Sequence, residues 1–549
     1  MSTVENPKVA AGDAKPRCQK SARPQRSPDE WEPLQGSRWQ WAAGIILLLA
    51  AVLRFYDLSL VPLHHDEGVN GSFLTAMFRG GVYHYDPANY HGPTLYYFAL
   101  IISTLNAFVF GKAGLSTLAI RSVPAIFGTA TVWLVLRLRR YLGDYGALAA
   151  ALLVAFSPGM VYFSRYFIHE MLLVFFTLGP VVAVLEYYET ARPWYLMLAS
   201  VSAALMFATK ETAVFSAIVL VLAWILATVY QRLTGNWKRK YEGIRAAKEG
   251  APSSEPFLVR AGGGDKLMFL LAGAGGLFAA VYCSLYSSFG GNFPKGIYDS
   301  FATFSYWATT SSSNHTHDAL TCLRWLGKEE WPALCLGALG WVFAICRGRN
   351  RFALFSGLWA IGITAAYSLI PYKTPWLNLN IILPLVLIAG YGAEEVFALA
   401  QRSSNRRARV IWLLPVVVVL IVPLFYTVDL NFFRYDDDSI PYVYAHTRRG
   451  FLDLIKQVEE ISTRNGTGTD TGITVASPNH WPMPWYLRDY KKAGYWGKVV
   501  PTQEPIVIGQ SDQETELRNT LGDGYQRVGF YDLRPGVVLV LYARRNLVQ

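Results

Sequence analysis

The sequence predicts a polytopic α-helical membrane protein with a small α/β domain at its carboxyl end. Apolar side chains make up 52% of the 549 residues and charged side chains only 16%, whereas a soluble chain carries about a quarter charged residues. Apolar runs of about 17 to 22 residues recur over the first four-fifths of the chain, and runs of that length match a hydrocarbon core of about 30 Å. These observations argue against a soluble enzyme, a nucleic-acid-binding protein or a disordered scaffold.

About eleven apolar segments are predicted to cross the membrane. In chain order they are 39–56, 117–137, 145–163, 169–188, 193–209, 212–231, 266–288, 331–346, 352–370, 378–399 and 410–428. With the N-terminus in the cytoplasm, the cytoplasmic segments hold 26 Lys and Arg residues and the external loops before residue 429 hold 9. Because membrane proteins carry an excess of basic residues on the cytoplasmic side, we expect a multi-pass protein of the plasma (inner) membrane with its C-terminal domain outside.

Residues 94–111 are apolar enough to suggest a further span. A crossing at this point would place Arg137, Arg139 and Arg140 outside and would invert every later loop, which would remove the asymmetry of basic residues. The segment also contains polar side chains. We therefore predict a helix that lies in the external interface instead of crossing the membrane.

The chain divides into three regions. Residues 1–38 are basic and rich in Pro and Ser, which is typical of a disordered cytoplasmic tail. Residues 39–428 form the transmembrane domain, with a long external loop at 57–116 and a cytoplasmic loop at 232–265. In residues 429–549 acidic residues and glycines become frequent, and the periodicity changes. This pattern predicts an extracytoplasmic α/β domain with a helix at 451–462 and strands at 473–477, 505–508 and 537–542.

Ionisable side chains are concentrated in the external loop at 57–116. The loop contains the motif HHDEG at 64–68 and the motif YHGP at 90–93. A solvated loop with a chance acidic pair is the alternative interpretation. The predicted interfacial helix, and further charged groups at the same membrane face, favour a functional site. The candidate site residues of this loop are His65, Asp66, Glu67 and His91.

Three more clusters of charged groups lie at the external ends of predicted spans. They are SRYFIHE at 164–170, TKET at 209–212 and PYKTPW at 371–376. Ionisable groups at membrane depth are costly and often mark a functional site. The alternatives are a structural ion pair between Arg165 and Glu170 and lysine side chains that snorkel to the interface. The candidate site residues of these clusters are Arg165, Glu170, Lys210, Tyr372 and Lys373.

Carboxylates next to Arg and Lys at an external membrane boundary suit glycosyl transfer from a lipid carrier. A sugar on a polyprenyl phosphate has its lipid in the membrane and its glycosyl phosphate at the interface. Transfer to an acceptor hydroxyl needs a carboxylate as general base. It also needs cationic or hydrogen-bonding groups around the leaving phosphate, whose charge grows in the transition state. The sequence predicts all of these groups on the external side.

The same motifs resemble a known superfamily. LRFY at 53–56 followed by HDE at 65–67 resembles the opening of the glycosyltransferase C superfamily, in the branch that holds protein O-mannosyltransferases and the aminoarabinose transferase of lipid A. FSRYFIHE at 163–170 is similar to that branch's second acidic motif, with Glu170 where Asp is usual. TKE at 209–211 replaces the common Thr-Lys-Gly. The motifs HHDEG, YHGP and YKTPW, together with WPMPWYLR at 481–488, are most similar to motifs of a prokaryotic subfamily associated with flippase activity.

The resemblance covers essentially the whole chain after residue 40 and implies roles for particular residues. Asp66 is expected to be the general base, Glu67 to position the acceptor or the loop, and Glu170 to contact acceptor or donor. Residues expected to contact the donor phosphate or the substrate are Arg54, His65, His91, Arg165, Lys210, Tyr372 and Lys373.

Neither a cofactor nor a metal ion is expected, although the resemblance leaves a divalent cation open. The five cysteines include no CxxC pair, so the sequence predicts no cysteine-based metal site. The segment at 481–488 has two interpretations, because its aromatic side chains suit either sugar binding or docking onto the transmembrane domain.

The sequence therefore predicts a C-type membrane glycosyltransferase that moves a hexose or pentose from a polyprenyl phosphate to an external acceptor with inversion. The acceptor is a lipid, a glycan or a protein. The alternative is a non-catalytic accessory or transport protein for lipid-linked glycans. A transporter is expected to show polar residues in mid-span and inverted repeats, and neither pattern is seen. The expected partners are the lipid-linked sugar, its acceptor and the bilayer, without nucleic acid.

Overall fold

The computed structural model describes residues 36–88, 91–234, 257–310, 316–403 and 405–548. Most of these residues are helical, and a five-stranded sheet lies in the C-terminal region. The predicted tail at 1–38 lies almost wholly outside the described residues, as does most of the predicted cytoplasmic loop at 232–265.

Helices account for most of the described residues as far as residue 428. Those before residue 261 are α1 (Gly36–Phe55), α2 (His65–Phe78), α3 (Thr94–Phe110), α4 (Thr117–Arg137), α5 (Arg139–Leu142), α6 (Asp144–Phe156), α7 (Pro158–Ser164), α8 (Glu170–Thr190), α9 (Pro193–Phe207), α10 (Ala213–Leu233) and α11 (Phe257–Arg260). Those that follow are α12 (Gly264–Tyr286), α13 (Lys295–Thr310), α14 (Thr321–Glu329), α15 (Trp331–Arg347), α16 (Arg351–Leu369), α17 (Leu379–Arg402) and α18 (Arg406–Val428).

The helices confirm a protein that spans the membrane many times. Within the described residues, eight helices are long and apolar enough to cross, or ten if each of two bent pairs forms one span. The bent pairs are α6 with α7, at 55°, and α14 with α15, at 105°. The remaining predicted span, 193–209, corresponds to α9, an apolar helix of 15 residues that is shorter than the others.

Helix α17 forms the centre of the transmembrane domain. The apolar window that begins at Pro375 and continues through α17 is 78% buried, as expected for a helix that is apolar on all sides. It packs against α6, α15 and α16. The turn that precedes it, at 371–374, therefore holds Lys373 and Thr374 against the core of the protein.

Helix α3 begins and ends on the same side of the domain. Leu95, near its start, and Leu115, just beyond its end, belong to one buried cluster with Trp485 of the C-terminal domain. The carbonyl of Leu115 also accepts a hydrogen bond from Arg488, at 2.9 Å. This arrangement supports the prediction that the segment at 94–111 does not cross the membrane.

The C-terminal region is a mixed α/β domain. Its strands are β1 (Gly472–Val475), β2 (Lys492–Tyr495), β3 (Ile506–Gln510), β4 (Tyr525–Arg534) and β5 (Val537–Arg544), in the order β2-β1-β3-β5-β4. Strands β2, β1 and β3 are parallel, whereas β5 and β4 run antiparallel to their neighbours. The helices are α19 (Gly450–Arg464), α20 (Met483–Tyr486) and α21 (Glu514–Leu521).

Two strands of this sheet were missed by the sequence interpretation. The predicted strands correspond to β1, β3 and β5, and the predicted helix at 451–462 corresponds to α19. Strands β2 and β4 are the two edges of the sheet and are largely half-buried or exposed. Because edge strands need no continuous apolar run, they gave no clear signal.

The C-terminal domain docks on α2 through the segment at 481–488. Trp485 is almost fully buried, and its indole nitrogen donates to Thr117 Oγ1 at 3.2 Å. The two glycines of α2 permit this approach, since a Cβ on Gly68 would lie 2.6 Å from Pro482 Cβ and one on Gly71 would lie 2.5 Å from the Trp485 ring. Docking is therefore the role of Trp485, as one of the two interpretations predicts.

We expect Gly68→Ala to weaken the docking, because its new Cβ meets the backbone of Pro482 at 2.7 Å and that backbone cannot move aside as a flexible side chain would. The melting temperature of the full-length protein should fall, and limited proteolysis should release the C-terminal domain faster. Gly44→Ala in α1 is the matched control, since a Cβ there has nothing within 4 Å. Equal behaviour of the two variants would contradict this account.

Candidate functional site

A broken helix shapes one end of the transmembrane domain, the end that the sequence predicts to be external. Helix α6 ends at Phe156, and α7 leaves it at an angle of 55°. The break leaves carbonyl groups at the end of α6 without intrahelical partners. Arg54 of α1 is fully buried and donates to the carbonyls of Val154, at 2.9 Å, and Ala155, at 3.3 Å. These bonds commit its guanidinium to the protein, so the predicted contact with a donor phosphate has no support in this geometry.

Arg165 acts in the same way on the end of α1. Its guanidinium donates to the carbonyls of Tyr56, at 2.6 Å, and Asp57, at 2.8 Å. These carbonyls follow directly after Phe55, where α1 ends. The alternative pairing of Arg165 with Glu170 is absent, because Glu170 pairs with another residue, and the cation holds the end of the first helix.

Lys373 occupies the corresponding position at the end of α16. The side chain is 1% exposed, and its ammonium donates to the carbonyls of Ile370, at 2.5 Å, Ser368, at 3.3 Å, and His317, at 3.4 Å. A positive charge at a helix C-terminus is stabilised by the helix dipole. Lys373 therefore satisfies a helix end, like the two arginines, although it was predicted to bind substrate.

The two carboxylates of the HHDEG motif have different environments. Glu67 is fully buried and forms a bidentate ion pair with Arg121 of α4, at 2.6 and 2.7 Å. It also accepts the backbone N–H groups of His64, at 2.9 Å, and Phe167, at 2.8 Å. Glu67 thus joins the first external loop, α4 and the second acidic motif. Arg121 was not a predicted site residue, because 54 residues separate it from Glu67 and nothing local pairs them.

Asp66 is the carboxylate that remains available. Its side chain is 31% exposed, and within the described residues no Arg or Lys forms an ion pair with it. His64 Nδ1 accepts the backbone N–H of Asp66 at 3.2 Å, and its Nε2 lies 3.2 Å from the carbonyl of Tyr444. The proton of His64 therefore lies on Nε2. Asp66 sits in the first turn of α2, where the helix dipole stabilises a negative charge.

A second polar group lies where α8 begins and where α9 turns into α10. Lys210 and Glu170 form a buried ion pair, and His91 Nδ1 lies 3.0 Å from Glu211 Oε2. Burial alone would lower the pKa of Lys210, but the Glu170 carboxylate raises it above its ordinary value. Burial would raise the pKa of Glu211, but His91 and Lys210 lower it. Lys210 and Glu211 are therefore both charged at neutral pH.

Tyr372 is influenced both by Asp66 and by the carboxylates of the second polar group, Glu170 and Glu211. The pKa of its phenol lies above the ordinary value, first because the side chain is largely buried and then because Asp66, Glu170 and Glu211 act on it electrostatically. These three carboxylates come from separate segments of the chain. Ion pairs and electrostatic effects link Asp66, Glu170, Lys210, His91 and Tyr372, whereas Arg54, Arg165 and Lys373 are ligands of helix ends.

The C-terminal domain closes one side of this region. His65 Nδ1 lies 3.3 Å from Arg534 Nη1, and the His65 and Trp481 ring centroids are 6.1 Å apart. The pKa of His65 is lowered to about 4, mainly by burial. Asp66 raises this pKa by a smaller amount, and His64, Arg534 and His480 lower it further. His65 is therefore neutral at pH 7. In the part of the chain that the structure describes, no group of three His, Cys, Asp or Glu side chains could hold a metal ion.

Comparison with known proteins identifies the fold. A family model described as dolichyl-phosphate-mannose-protein mannosyltransferase matches residues 90–243. The structure is similar to ArnT from Cupriavidus metallidurans in the apo state, with a TM-score of 0.63 and 16% identity over 93% of this chain and 99% of that one. ArnT bound to undecaprenyl phosphate gives a TM-score of 0.60, again with 16% identity, 93% of this chain and 99% of that one.

An archaeal enzyme is similar as well. The Archaeoglobus fulgidus oligosaccharyltransferase, tethered with an acceptor peptide, gives a TM-score of 0.52 with 13% identity over 87% of this chain and 70% of that one. No curated protein matches the chain at a significant level. The chain has the fold of the glycosyltransferase C superfamily, so the resemblance and the fold class predicted from the sequence are confirmed. The similarity to the flippase-associated subfamily stays a prediction.

We expect Glu67→Gln to destabilise the protein strongly, because it leaves Arg121 buried without its carboxylate partner. Removing one member of a buried ion pair costs about 3–5 kcal/mol, and the free energy of unfolding of the full-length protein should fall by that amount. Asp489→Asn is the control, since it breaks an exposed ion pair with Arg79 and should cost less than about 1 kcal/mol. Similar losses in the two variants would contradict a structural role for Glu67.

His65 should make stability depend on pH. Because its pKa is about 4 in the folded state and about 6.5 in an unfolded chain, the unfolded state binds the proton more tightly. The stabilisation is complete above pH 6.5 and is lost as the pH falls toward 4. We expect His65→Gln to remove as much as about 1.4 kcal/mol per pH unit from the pH dependence of the unfolding free energy in this window. An unchanged dependence would contradict the assignment.

Proposed function

We propose that this protein is an integral membrane glycosyltransferase that moves a sugar from a polyprenyl phosphate to a hydroxyl of an external acceptor, with inversion at the anomeric carbon. The observation that carries the proposal is that the two carboxylates of the HHDEG motif differ in their partners and in their exposure. Glu67 forms a buried ion pair with Arg121, whereas the neighbouring Asp66 carboxylate is partly exposed and is not paired with a described Arg or Lys. The carboxylate left over is thus positioned for chemistry.

Asp66 acts as the general base in this proposal. The acceptor oxygen attacks the anomeric carbon from the face opposite the phosphate, and Asp66 takes the hydroxyl proton as the new C–O bond forms. The bond between the anomeric carbon and the phosphate oxygen breaks, and its electron pair leaves with the polyprenyl phosphate. Since attack and departure occur on opposite faces, the configuration at the anomeric carbon is inverted.

The leaving phosphate gains negative charge, and Lys210 is the cation best placed to stabilise it. Lys210 lies in the turn between α9 and α10, which the sequence places on the external side. Glu170 keeps it charged and fixed in place. The Tyr372 hydroxyl, close enough to feel both Asp66 and Glu170, is positioned to donate a hydrogen bond to the phosphate. Preorganised donors of this kind favour charge that develops in the transition state.

The comparisons support the class of donor. The family model that matches residues 90–243 describes mannosyl transfer from dolichyl phosphate, and the similar ArnT structure contains undecaprenyl phosphate. The similar oligosaccharyltransferase was captured with an acceptor peptide. A polyprenyl-phosphate sugar is therefore the donor class we propose, and the acceptor is a lipid, a glycan or a protein. In this proposal the protein lies in the plasma membrane, with its N-terminal tail in the cytoplasm and its site on the external side.

Asp66→Asn should abolish the modification while the protein still folds, because Asn keeps the shape of the side chain and loses the base. The measurement is glycan profiling of cells that lack the protein and are complemented with each variant, alongside the melting temperature of the purified chain. Asp523→Asn, at an exposed turn of the C-terminal domain, is the matched control and should restore the wild-type profile. A normal profile with Asp66→Asn would contradict the proposal and favour an accessory or transport role for lipid-linked glycans.

A further inference from the structure

Arg534 lies where the C-terminal domain faces the first external loop. It is the last residue of β4, directly after a β-bulge in which Leu533 is the extra residue between Asp532 and Arg534. Leu533 is fully buried, and its carbonyl accepts the backbone N–H of Arg448 at 2.9 Å. β-Bulges redirect the side chains beside them and are frequent near functional sites. Here the bulge precedes an arginine that contacts α2.

The contacts of Arg534 are to neutral groups. Its Nη2 donates to Asn479 Oδ1 at 2.6 Å, and its Nη1 donates to His65 Nδ1 at 3.3 Å. The Asn479 amide nitrogen donates to Gln510 Oε1 at 2.9 Å, which orients its oxygen toward the guanidinium. Asn479 and Gln510 thus hold Arg534 against His65.

No carboxylate among the described residues forms an ion pair with Arg534. Its neighbour on the same strand, Arg527, pairs with Glu514, so the contrast is internal to β4. Arg534 is half-buried, and burying a charge without an opposite charge is costly. Several N–H groups of the guanidinium remain beyond its two contacts, in the planar arrangement that binds phosphate or carboxylate oxygens two at a time.

Domain docking does not require this arginine. Trp485 fills a buried site between the domains, Tyr486 accepts the backbone N–H of Leu63 at 2.9 Å, and Arg488 donates to the carbonyl of Leu115. These contacts lie along α20 and just beyond it. Arg534 lies on β4, far from α20 in the sequence, and contacts His65, a different residue of the first external loop.

The position of Arg534 distinguishes the two substrates. Arg534 contacts His65 at 3.3 Å, and His65 precedes Asp66 directly in the chain, so the arginine lies near the base that meets the acceptor hydroxyl. The cation assigned to the donor, Lys210, instead comes from the ends of membrane helices. Trp481, half-buried and beside His65, adds an aromatic face to the same wall.

We propose that Arg534 binds an anionic group of the acceptor, a phosphate or a carboxylate, so that the C-terminal domain selects the substrate that receives the sugar. The anion site stands on the geometry alone. Its assignment to the acceptor rests on the proposed glycosyltransferase function.

The test uses the full-length protein in nanodiscs and inorganic phosphate as the probe. We expect phosphate to raise the melting temperature more than chloride does at equal ionic strength. Arg534→Gln should weaken the apparent phosphate affinity at least tenfold, whereas Arg534→Lys should retain part of it. Arg544→Gln, on the neighbouring strand, removes an exposed arginine that donates to a backbone carbonyl and should behave like the wild type. The same phosphate response in Arg534→Gln and the wild type would overturn the proposal, even if the starting melting temperature were lower.

A second titration identifies which substrate supplies the anion. With undecaprenyl phosphate present at saturation, the acceptor assignment predicts that inorganic phosphate still binds in an Arg534-dependent way. Loss of that binding would assign Arg534 to the donor phosphate and overturn the acceptor role. If Asp66→Asn leaves the glycan profile unchanged while phosphate binding still needs Arg534, the glycosyltransferase proposal and the acceptor assignment fail and the anion site remains.

Discussion

Helices that end within the transmembrane domain leave carbonyl groups that must be satisfied, and buried cations satisfy them. Arg54 holds the end of α6, Arg165 the end of α1 and Lys373 the end of α16. Unsatisfied carbonyls in an apolar environment cost several kcal/mol each, so these cations are part of the frame. Of the site residues, Tyr372 follows one of these helix ends closely, that of α16. Charge at membrane depth here is first a structural requirement, and of the two adjacent carboxylates Asp66 is the one without a described Arg or Lys partner.

The same principle separates the adjacent carboxylates. Glu67 accepts hydrogen bonds from Arg121 and from two backbone N–H groups, which ties its carboxylate to α4 and to the loop. Asp66 is fixed through its backbone by His64 while its side chain stays partly exposed. One carboxylate therefore builds the loop that presents the other. This arrangement explains how a reactive group can be held rigidly without being neutralised by the cations nearby.

The sequence predicted the fold well and the site in part. Length and apolarity identify a membrane span without tertiary information, and the asymmetry of basic residues excluded a crossing at 94–111. Charge at the membrane boundary also identified the segments that supply the groups of the proposed site. It could not separate helix-end cations from substrate-facing ones, because that depends on partners such as Arg121 and Glu67 that are distant in sequence. Arg534 was missed for the same reason, since β4 is an exposed edge strand and only docking brings it to His65.

The most direct test of the account is the position of a bound carrier phosphate. A cryo-EM structure of the full-length protein in nanodiscs with undecaprenyl phosphate should place the phosphate against Lys210 and Tyr372, facing Asp66. Arg54, Arg165 and Lys373 should keep their bonds to the helix-end carbonyls. A phosphate held by those three cations, with the helix ends released, would contradict the account.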